Sequence, residues 1–213
     1  MTKLQAMIIP VTPFQQNCSL VFDQDSMTGA IVDPGGDVPR ILEAIAKSGA
    51  KIEKILLTHG HIDHAGGAAE LRDALGVKIE GPHREDLFLL ETLPESGAKY
   101  GMLTARAVVP DRWLEEGDEV TVGGLTFVIY EAPGHTPGSV VLFNGENRFA
   151  LMGDVLFQGS VGRTDLPRGD HETLIRSIRE KVLPLGDDVV FLPGHGSPST
   201  VGQERQTNPF LQD

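Results

Sequence analysis

The chain has 213 residues, a length that suits one well-buried core and leaves little for a second. Its 18 basic and 30 acidic side chains give a net charge of −12, and this negative field excludes nucleic acid and anionic membrane surfaces as partners. Cys18 is the single cysteine, so an intramolecular disulfide is excluded, and no apolar run resembles a signal peptide or a membrane span. We therefore expect one cytoplasmic domain over residues 1–213 that acts on a small molecule.

The first half of the chain predicts short strands followed by helices. Three runs of strand-type residues separated by turns predict a β-meander: residues 5–9, 17–22 and 29–32. Asp37 is expected to cap a helix that ends at Gly49, because these residue types favour those positions. The apolar residues 55–57 predict a buried strand, and residues 84–93 predict a helix that Pro94 ends.

The second half of the chain has a similar pattern. Two pairs of runs predict hairpins: residues 120–122 with 125–130, around a Gly-Gly turn, and residues 140–143 with 149–152. Asp170 is expected to cap a helix, and residues 189–192 predict a last strand. Two such halves are expected to pack with their sheets face to face and their helices outside. The predicted fold class is therefore α+β, a four-layer αββα sandwich.

Four residues whose side chains bind metals fall within six positions: His59, His61, Asp63 and His64. Two imidazoles separated by one residue point to the same side of an extended segment. The following Asp63 and His64 face the other way, because the chain turns there into a predicted helix. One short loop after a buried strand can therefore serve two metal ions.

Three further candidates stand beside glycine at the ends of strand-like runs: His135, Asp154 and His195. Imidazole nitrogen and carboxylate oxygen are ligands that zinc and similar cations accept, and a catalytic site usually combines three protein ligands with water. Because these strand ends are expected to converge, the three residues are predicted to complete the metal site.

These motifs together resemble the metallo-β-lactamase superfamily: the HxHxDH run, a later lone His, a Gly-Asp pair and a closing Gly-His-Gly. Residues 58–67, 132–139 and 153–157 are most similar to the glyoxalase II (hydroxyacylglutathione hydrolase) branch, and more narrowly to its short bacterial members of the YcbL type. The resemblance implies the αββα fold and two divalent transition-metal ions, zinc in the first place, with iron or a mixed pair as alternatives. It does not extend to the C-terminal helical domain with which longer glyoxalase II enzymes hold glutathione.

The resemblance also implies a role for each metal-binding residue. The first ion would be held by His59, His61 and His135, the second by Asp63, His64 and His195, and Asp154 would bridge the two. Asp63 or Asp154 would in addition accept a proton during catalysis.

Four other residues are expected to support the site. The resemblance implies that Arg163 contacts the substrate, because a guanidinium group can clamp a carboxylate. Tyr100 is expected to line the cleft. Asp33 and Thr58 are expected to orient the ligand histidines through hydrogen bonds.

The activity that the resemblance implies is hydrolysis of a thioester such as S-lactoylglutathione by metal-bound hydroxide. The main alternative is a mononuclear iron persulfide dioxygenase on the same fold, which would use one set of ligands around one iron. A nuclease is disfavoured by the net charge, and a metal-binding module without catalytic activity stays open. Cleavage of β-lactams is not expected, because Cys18 lies in the first meander and Asp154 takes the bridging position.

Overall fold

Two β-sheets lie face to face in the computed structural model, which describes residues 3–212. The predicted domain also includes residues 1, 2 and 213, which lie outside that range. Within the described residues the first sheet has five strands, in the order β1-β2-β3-β4-β5: Leu4–Val11, Gln16–Asp23, Thr28–Val32, Lys51–Leu56 and Lys78–Glu80. The first three pair antiparallel, which confirms the predicted meander, whereas β4 and β5 join in parallel.

The second sheet contains both predicted hairpins. Its strands within residues 3–212 are β6 Glu119–Val122, β7 Leu125–Glu131, β8 Val140–Asn144, β9 Phe149–Gly153, β12 Val190–Pro193 and β13 Ser199–Thr200. Their order is β13-β12-β9-β8-β7-β6, and β12 runs parallel to β9. A separate two-stranded ribbon follows β9, formed by β10 (Leu156–Phe157) and β11 (Ser160–Val161).

Helices cover the outer faces of both sheets. The first sheet carries α1 Val38–Ser48, α2 Ile62–Ala65, α3 Ala68–Leu75, α4 Leu87–Glu91 and α5 Leu93–Tyr100. The second sheet carries α6 His171–Ser177 and α7 Val201–Thr207. In the part of the chain that the structure describes, no helix is long and apolar enough to cross a bilayer.

The order of the layers follows from the alternation of side chains along the strands. Leu20 and Ile31 point towards the helices, whereas Val21 and Ala30 point towards the second sheet and meet Phe127. All five are fully buried, and burying one large aliphatic side chain contributes about 1.5–3 kcal/mol. Residues 3–212 therefore form four layers with three hydrophobic interfaces between them, which confirms the predicted αββα fold.

One prediction about helix ends is wrong: Pro94 does not end a helix but is the second residue of α5, where the absent N–H costs nothing because the first turn has no intrahelical acceptor. Asp37 and Gly49 occupy the N-cap and C-cap positions of α1, as predicted, but the Asp37 side chain makes no capping hydrogen bond. Its carboxylate instead accepts a hydrogen bond of 2.7 Å from the main-chain N–H of Thr12. The prediction for Asp170 is confirmed, since its side chain accepts from the N–H of Thr173 at the start of α6.

Candidate metal centre

The seven predicted ligands meet at one end of the sandwich, where strands of both sheets finish. His59 and His61 lie in the loop after β4, and Asp63 and His64 follow on α2. The second sheet supplies the remaining three from the loop after β7, the end of β9 and the end of β12: His135, Asp154 and His195. The HxHxDH run therefore faces side chains that are more than seventy positions away in the sequence.

His59, His61 and His135 form the first triad. Their nearest ring nitrogens all lie within 4.8 Å of one another, and Nδ1 of His61 is 2.9 Å from Nε2 of His135. His135 is oriented from behind, because its Nδ1 bonds the main-chain oxygen of Arg163 at 2.7 Å. That hydrogen bond leaves Nε2 of the ring directed towards the triad.

Asp63, His64 and His195 form the second triad. Their ligand atoms again lie within 4.8 Å of one another, and Nε2 of His195 is 3.1 Å from Oδ2 of Asp63. His64 is fully buried, whereas the His195 side chain is about 30% exposed. The second triad is therefore accessible to solvent at His195.

Asp154 lies between the two triads. One carboxylate oxygen is 3.4 Å from Nε2 of His64, and the other is 3.5 Å from Nε2 of His135 and 3.7 Å from Nε2 of His195. The carboxylate thus reaches a member of each triad, which is the placement expected of a bridging ligand.

The donor atoms at the centre fit metal ions. Nε2 of His59, Nε2 of His64 and Oδ1 of Asp154 are buried, and none has a hydrogen-bond partner among residues 3–212. A buried polar atom without a partner costs about 1–3 kcal/mol, so three in one place call for a ligand. Nitrogen and oxygen donors in two groups of three suit zinc or iron, and the centre can therefore hold two cations.

The protonation state of the first triad favours metal binding. Burial, followed by the positive charge of neighbouring histidines, holds the pKa of His59 well below its usual value. The same causes, with His135 contributing most among the histidines, lower the pKa of His61 to about 3. Both rings are therefore neutral at physiological pH, and a neutral imidazole has the lone pair that a metal needs.

The negative charge of the centre comes from Asp63 in the second triad and from Asp154 between the triads. Burial is the largest single influence and opposes ionisation of Asp63 and Asp154, but the charges and hydrogen bonds of the neighbouring histidines, His64 first among them, together outweigh it and lower the pKa of both carboxyls. Burial likewise disfavours the charged form of His64, yet the charges of Asp154 and Asp63 raise its pKa well above the usual value. Two ionised carboxylates in so small a space attract positive charge.

Asp33 and Thr58, the residues predicted to orient the histidines, contact His64 and His59 respectively. Oδ2 of Asp33 lies 2.9 Å from Nδ1 of His64 and also accepts the Thr58 hydroxyl hydrogen at 2.6 Å. The Thr58 oxygen in turn lies 3.1 Å from Nδ1 of His59. One buried carboxylate therefore acts on a histidine of each triad, directly on His64 and through Thr58 on His59.

The sequence did not indicate two polar residues at the start of β2. The amide of Gln16 lies 3.4 Å from Nδ1 of His64, and Asn17 donates to the main-chain oxygens of Pro193 and Gly196 on either side of His195. Both are buried at the beginning of a strand that also buries Ser19 and Asp23. Because polar residues recur along this strand, no signal in the sequence singles out these two.

A cleft of about 800 Å³ opens over the centre. Its walls are largely apolar and include Phe14, Ile62, Phe88, Leu89, Phe157 and Leu166. Tyr100 lines the cleft, as expected, and meets Phe14 edge to face with 5.4 Å between the ring centroids. Arg163 also lines it, but its guanidinium donates two hydrogen bonds of 2.7 Å to Asp165, so the substrate contact expected of it competes with this pair.

Comparisons with known proteins agree with this geometry. The family model described as the metallo-β-lactamase superfamily matches residues 11–195. Hydroxyacylglutathione hydrolase GloC of Haemophilus influenzae is 50% identical over 205 residues, which cover 96% of each chain.

Two crystal structures show the same architecture at 36% identity. One is the B3 metallo-β-lactamase BLEG-1, with a TM-score of 0.90 over 98% of this chain and 100% of that one. The other is TTHA1623 in a di-iron-bound form, with a TM-score of 0.86 over 96% of this chain and 100% of that one. The chain therefore belongs to the metallo-β-lactamase superfamily, as a metallohydrolase similar to its glyoxalase II branch.

Proposed function

We propose that this chain hydrolyses thioesters such as S-lactoylglutathione, with two divalent transition-metal ions held by the two triads and Asp154. The observation that carries the proposal is the pair of complete triads around one shared carboxylate at the base of the cleft. The 50% identity with GloC of Haemophilus influenzae, which is named a hydroxyacylglutathione hydrolase, supports the choice of substrate.

The arrangement suits attack of water on a carbonyl group. Two bound ions would lower the pKa of a water molecule and polarise the carbonyl oxygen. Asp63 lines the cleft beside His195, so its carboxylate is placed to accept a proton from the attacking water. Asp154, deeper in the centre, would serve as the bridging ligand or as an alternative proton acceptor.

The second triad favours hydrolysis over persulfide oxidation. A mononuclear iron dioxygenase needs one set of protein ligands and open positions on the iron. Here one ligand atom from each of Asp63, His64 and His195 also lies within 4.8 Å of the other two. A second set of ligands built with this spacing supports a binuclear site.

The metals that we propose are zinc in the first place, with iron or a mixed pair as alternatives. The donor atoms are imidazole nitrogens and carboxylate oxygens, which zinc and iron both accept. The di-iron-bound form of TTHA1623 supports iron as an alternative on a similar scaffold.

The test is metal analysis of the freshly purified protein, together with hydrolysis of S-lactoylglutathione before and after chelation. We expect about two metal ions per chain and an activity that chelation abolishes and zinc restores. A chromogenic cephalosporin assayed in parallel would detect β-lactam cleavage, the activity for which BLEG-1 is named. One iron per chain, with oxygen uptake on glutathione persulfide and no thioester hydrolysis, would overturn the proposal.

A further inference from the structure

A buried carboxylate lies behind the first triad and has no part in the metal centre described above. Asp86 ends a 3-10 turn (Arg84–Asp86) before α4, and its side chain is fully buried. Its two oxygens accept three hydrogen bonds, from the N–H of Gly60 at 2.8 Å, the N–H of Gly138 at 2.7 Å and the hydroxyl of Thr136 at 2.8 Å.

The three donors belong to the two loops that supply the first triad. Gly60 stands between His59 and His61, and Thr136 directly follows His135. The hydrogen bonds of Asp86 therefore reach groups adjacent to all three ligands. The loops themselves come from different sheets, one after β4 and the other after β7.

The contact between Asp86 and the second loop is direct. A Cβ atom at Gly138 would lie 2.6 Å from Cγ of Asp86, closer than real Cβ contacts allow. The main chain at position 138 therefore packs on the carboxylate without an intervening side chain, and the spacing between loop and carboxylate is fixed by hydrogen bonds and van der Waals contact.

An amide at position 86 would not serve the same three partners. Burial raises the pKa of the Asp86 carboxyl, and the hydrogen bonds from Thr136, Gly60 and Gly138 oppose that shift by favouring the ionised form. All three partners donate, so an Asn side chain would turn an NH₂ group towards at least one donor. A buried donor left without an acceptor costs about 1–3 kcal/mol.

We infer that Asp86 is a positioning residue that holds the two loops of the first triad at the separation a metal ion requires, and thereby sets the metal affinity of that triad alone. The second triad has other supports, since Gln16 and Asp33 contact His64 and Asn17 holds the segment around His195. The inference rests on the proposed metal centre but does not depend on which substrate is hydrolysed.

The test measures metal binding to each triad separately, by titrating the full chain with Co²⁺ and following its visible absorption. His195→Ala disables the second triad, so Co²⁺ binding by that variant reports on the first triad. His135→Ala disables the first triad, so Co²⁺ binding by that variant reports on the second. We expect Asp86→Asn to weaken Co²⁺ binding about 10–100-fold in the His195→Ala background and to leave binding in the His135→Ala background unchanged.

A matched control is available in Glu204, another fully buried carboxylate. It accepts from the N–H of Gly159, the hydroxyl of Ser199 and the amide of Asn208, none of which directly adjoins a triad residue in the sequence. Glu204→Gln is expected to leave Co²⁺ affinity unchanged in both backgrounds. If Asp86→Asn does not fold, Thr136→Val removes one of the three bonds and is expected to weaken the first triad several-fold.

The inference is overturned if Asp86→Asn, or Thr136→Val in its place, leaves the first triad unchanged or weakens both triads equally. Because the readout is metal binding, failure of the proposed thioesterase activity would not alter these results. Conversely, if the wild-type enzyme hydrolyses thioesters but Asp86→Asn leaves the Co²⁺ affinity of the first triad unchanged, the role of Asp86 is rejected and the proposed function stands.

Discussion

The carboxylate of Asp33 lies 2.9 Å from Nδ1 of His64, with both side chains buried, and Nε2 of the same ring lies 3.4 Å from Oδ1 of Asp154. Asp33 also accepts from the main-chain N–H and the hydroxyl of Thr58, so an amide at this position would oppose at least one donor. We expect Asp33→Asn to weaken metal binding by the second triad about 10–100-fold. Competition with a chromogenic chelator measures the change.

The control for this variant is Asp23→Asn. Asp23 is equally buried and accepts from Ser26 and Gly124, in the turn regions of two hairpins. Its substitution should leave metal binding unchanged. Wild-type affinity in Asp33→Asn would show that the contact with His64 does not orient the ring.

Removal of the metal ions should destabilise the fold. A ligand present at 1,000 times its Kd stabilises the folded state by about 4 kcal/mol, which for a chain of this size corresponds to a rise in Tm of about 8–16 °C. We expect zinc added to chelated protein to raise Tm by that amount, measured by calorimetry. The double variant His135→Ala, His195→Ala lacks one ligand of each triad, and its Tm should not respond to zinc.

The ion pair between Arg163 and Asp165 should lower substrate affinity, because it occupies the guanidinium group that would bind the substrate. Both side chains are more than 60% exposed, so their mutual attraction is weak and substrate can replace it. We expect Arg163→Ala to raise KM for S-lactoylglutathione about tenfold, and Asp165→Asn, which frees the guanidinium, to lower it. Arg205→Ala, which breaks the exposed pair with Asp187, is the control. Equal KM values in all variants would show that Arg163 does not contribute to substrate binding.

Gly194 should tolerate no side chain, because it lies against the centre itself. A Cβ atom there would come within 2.1 Å of Oδ1 of Asp154 and 2.5 Å of Cε1 of His64. We expect Gly194→Ala to abolish binding of at least one metal ion, as measured by elemental analysis. Gly145→Ala meets only ordinary contacts with Phe143 and should bind like the wild type. Full metal content in Gly194→Ala would mean that the loop can shift to accommodate the methyl group without losing a metal ion.

Cys18 should be chemically inert in the folded protein. Burial, assisted by the nearby charge of Asp33, raises the pKa of its thiol well above the usual value. Because a raised pKa keeps the thiol protonated as pH increases, little thiolate forms at pH 8, and the thiolate is the reactive species. We expect iodoacetamide to modify Cys18 in denaturant and not in native protein, as followed by mass spectrometry. Rapid native modification would contradict this.

The sequence predicted those parts of the molecule that depend on neighbours along the chain. The spacing of His59, His61 and His64 was sufficient to predict a metal site, and Gly123-Gly124 marked a hairpin, because both signals are local. The role of Asp86 is not predictable from its neighbours along the chain, because the packing of two sheets brings its three hydrogen-bond donors together. The position of Pro94 is ambiguous in the sequence, because proline is common both just after the end of a helix and in the first turn of the next one.

Each triad draws ligands from both sheets of the sandwich. His59 and His61 come from the first sheet and His135 from the second, and the other triad is divided in the same way. A bound cation thus links segments that the main chain joins only through long connections, much as a disulfide would. Loss of metal should therefore weaken the contact between the two sheets before either sheet unfolds. Hydrogen exchange should then increase first at the main-chain amides near His135 and His195.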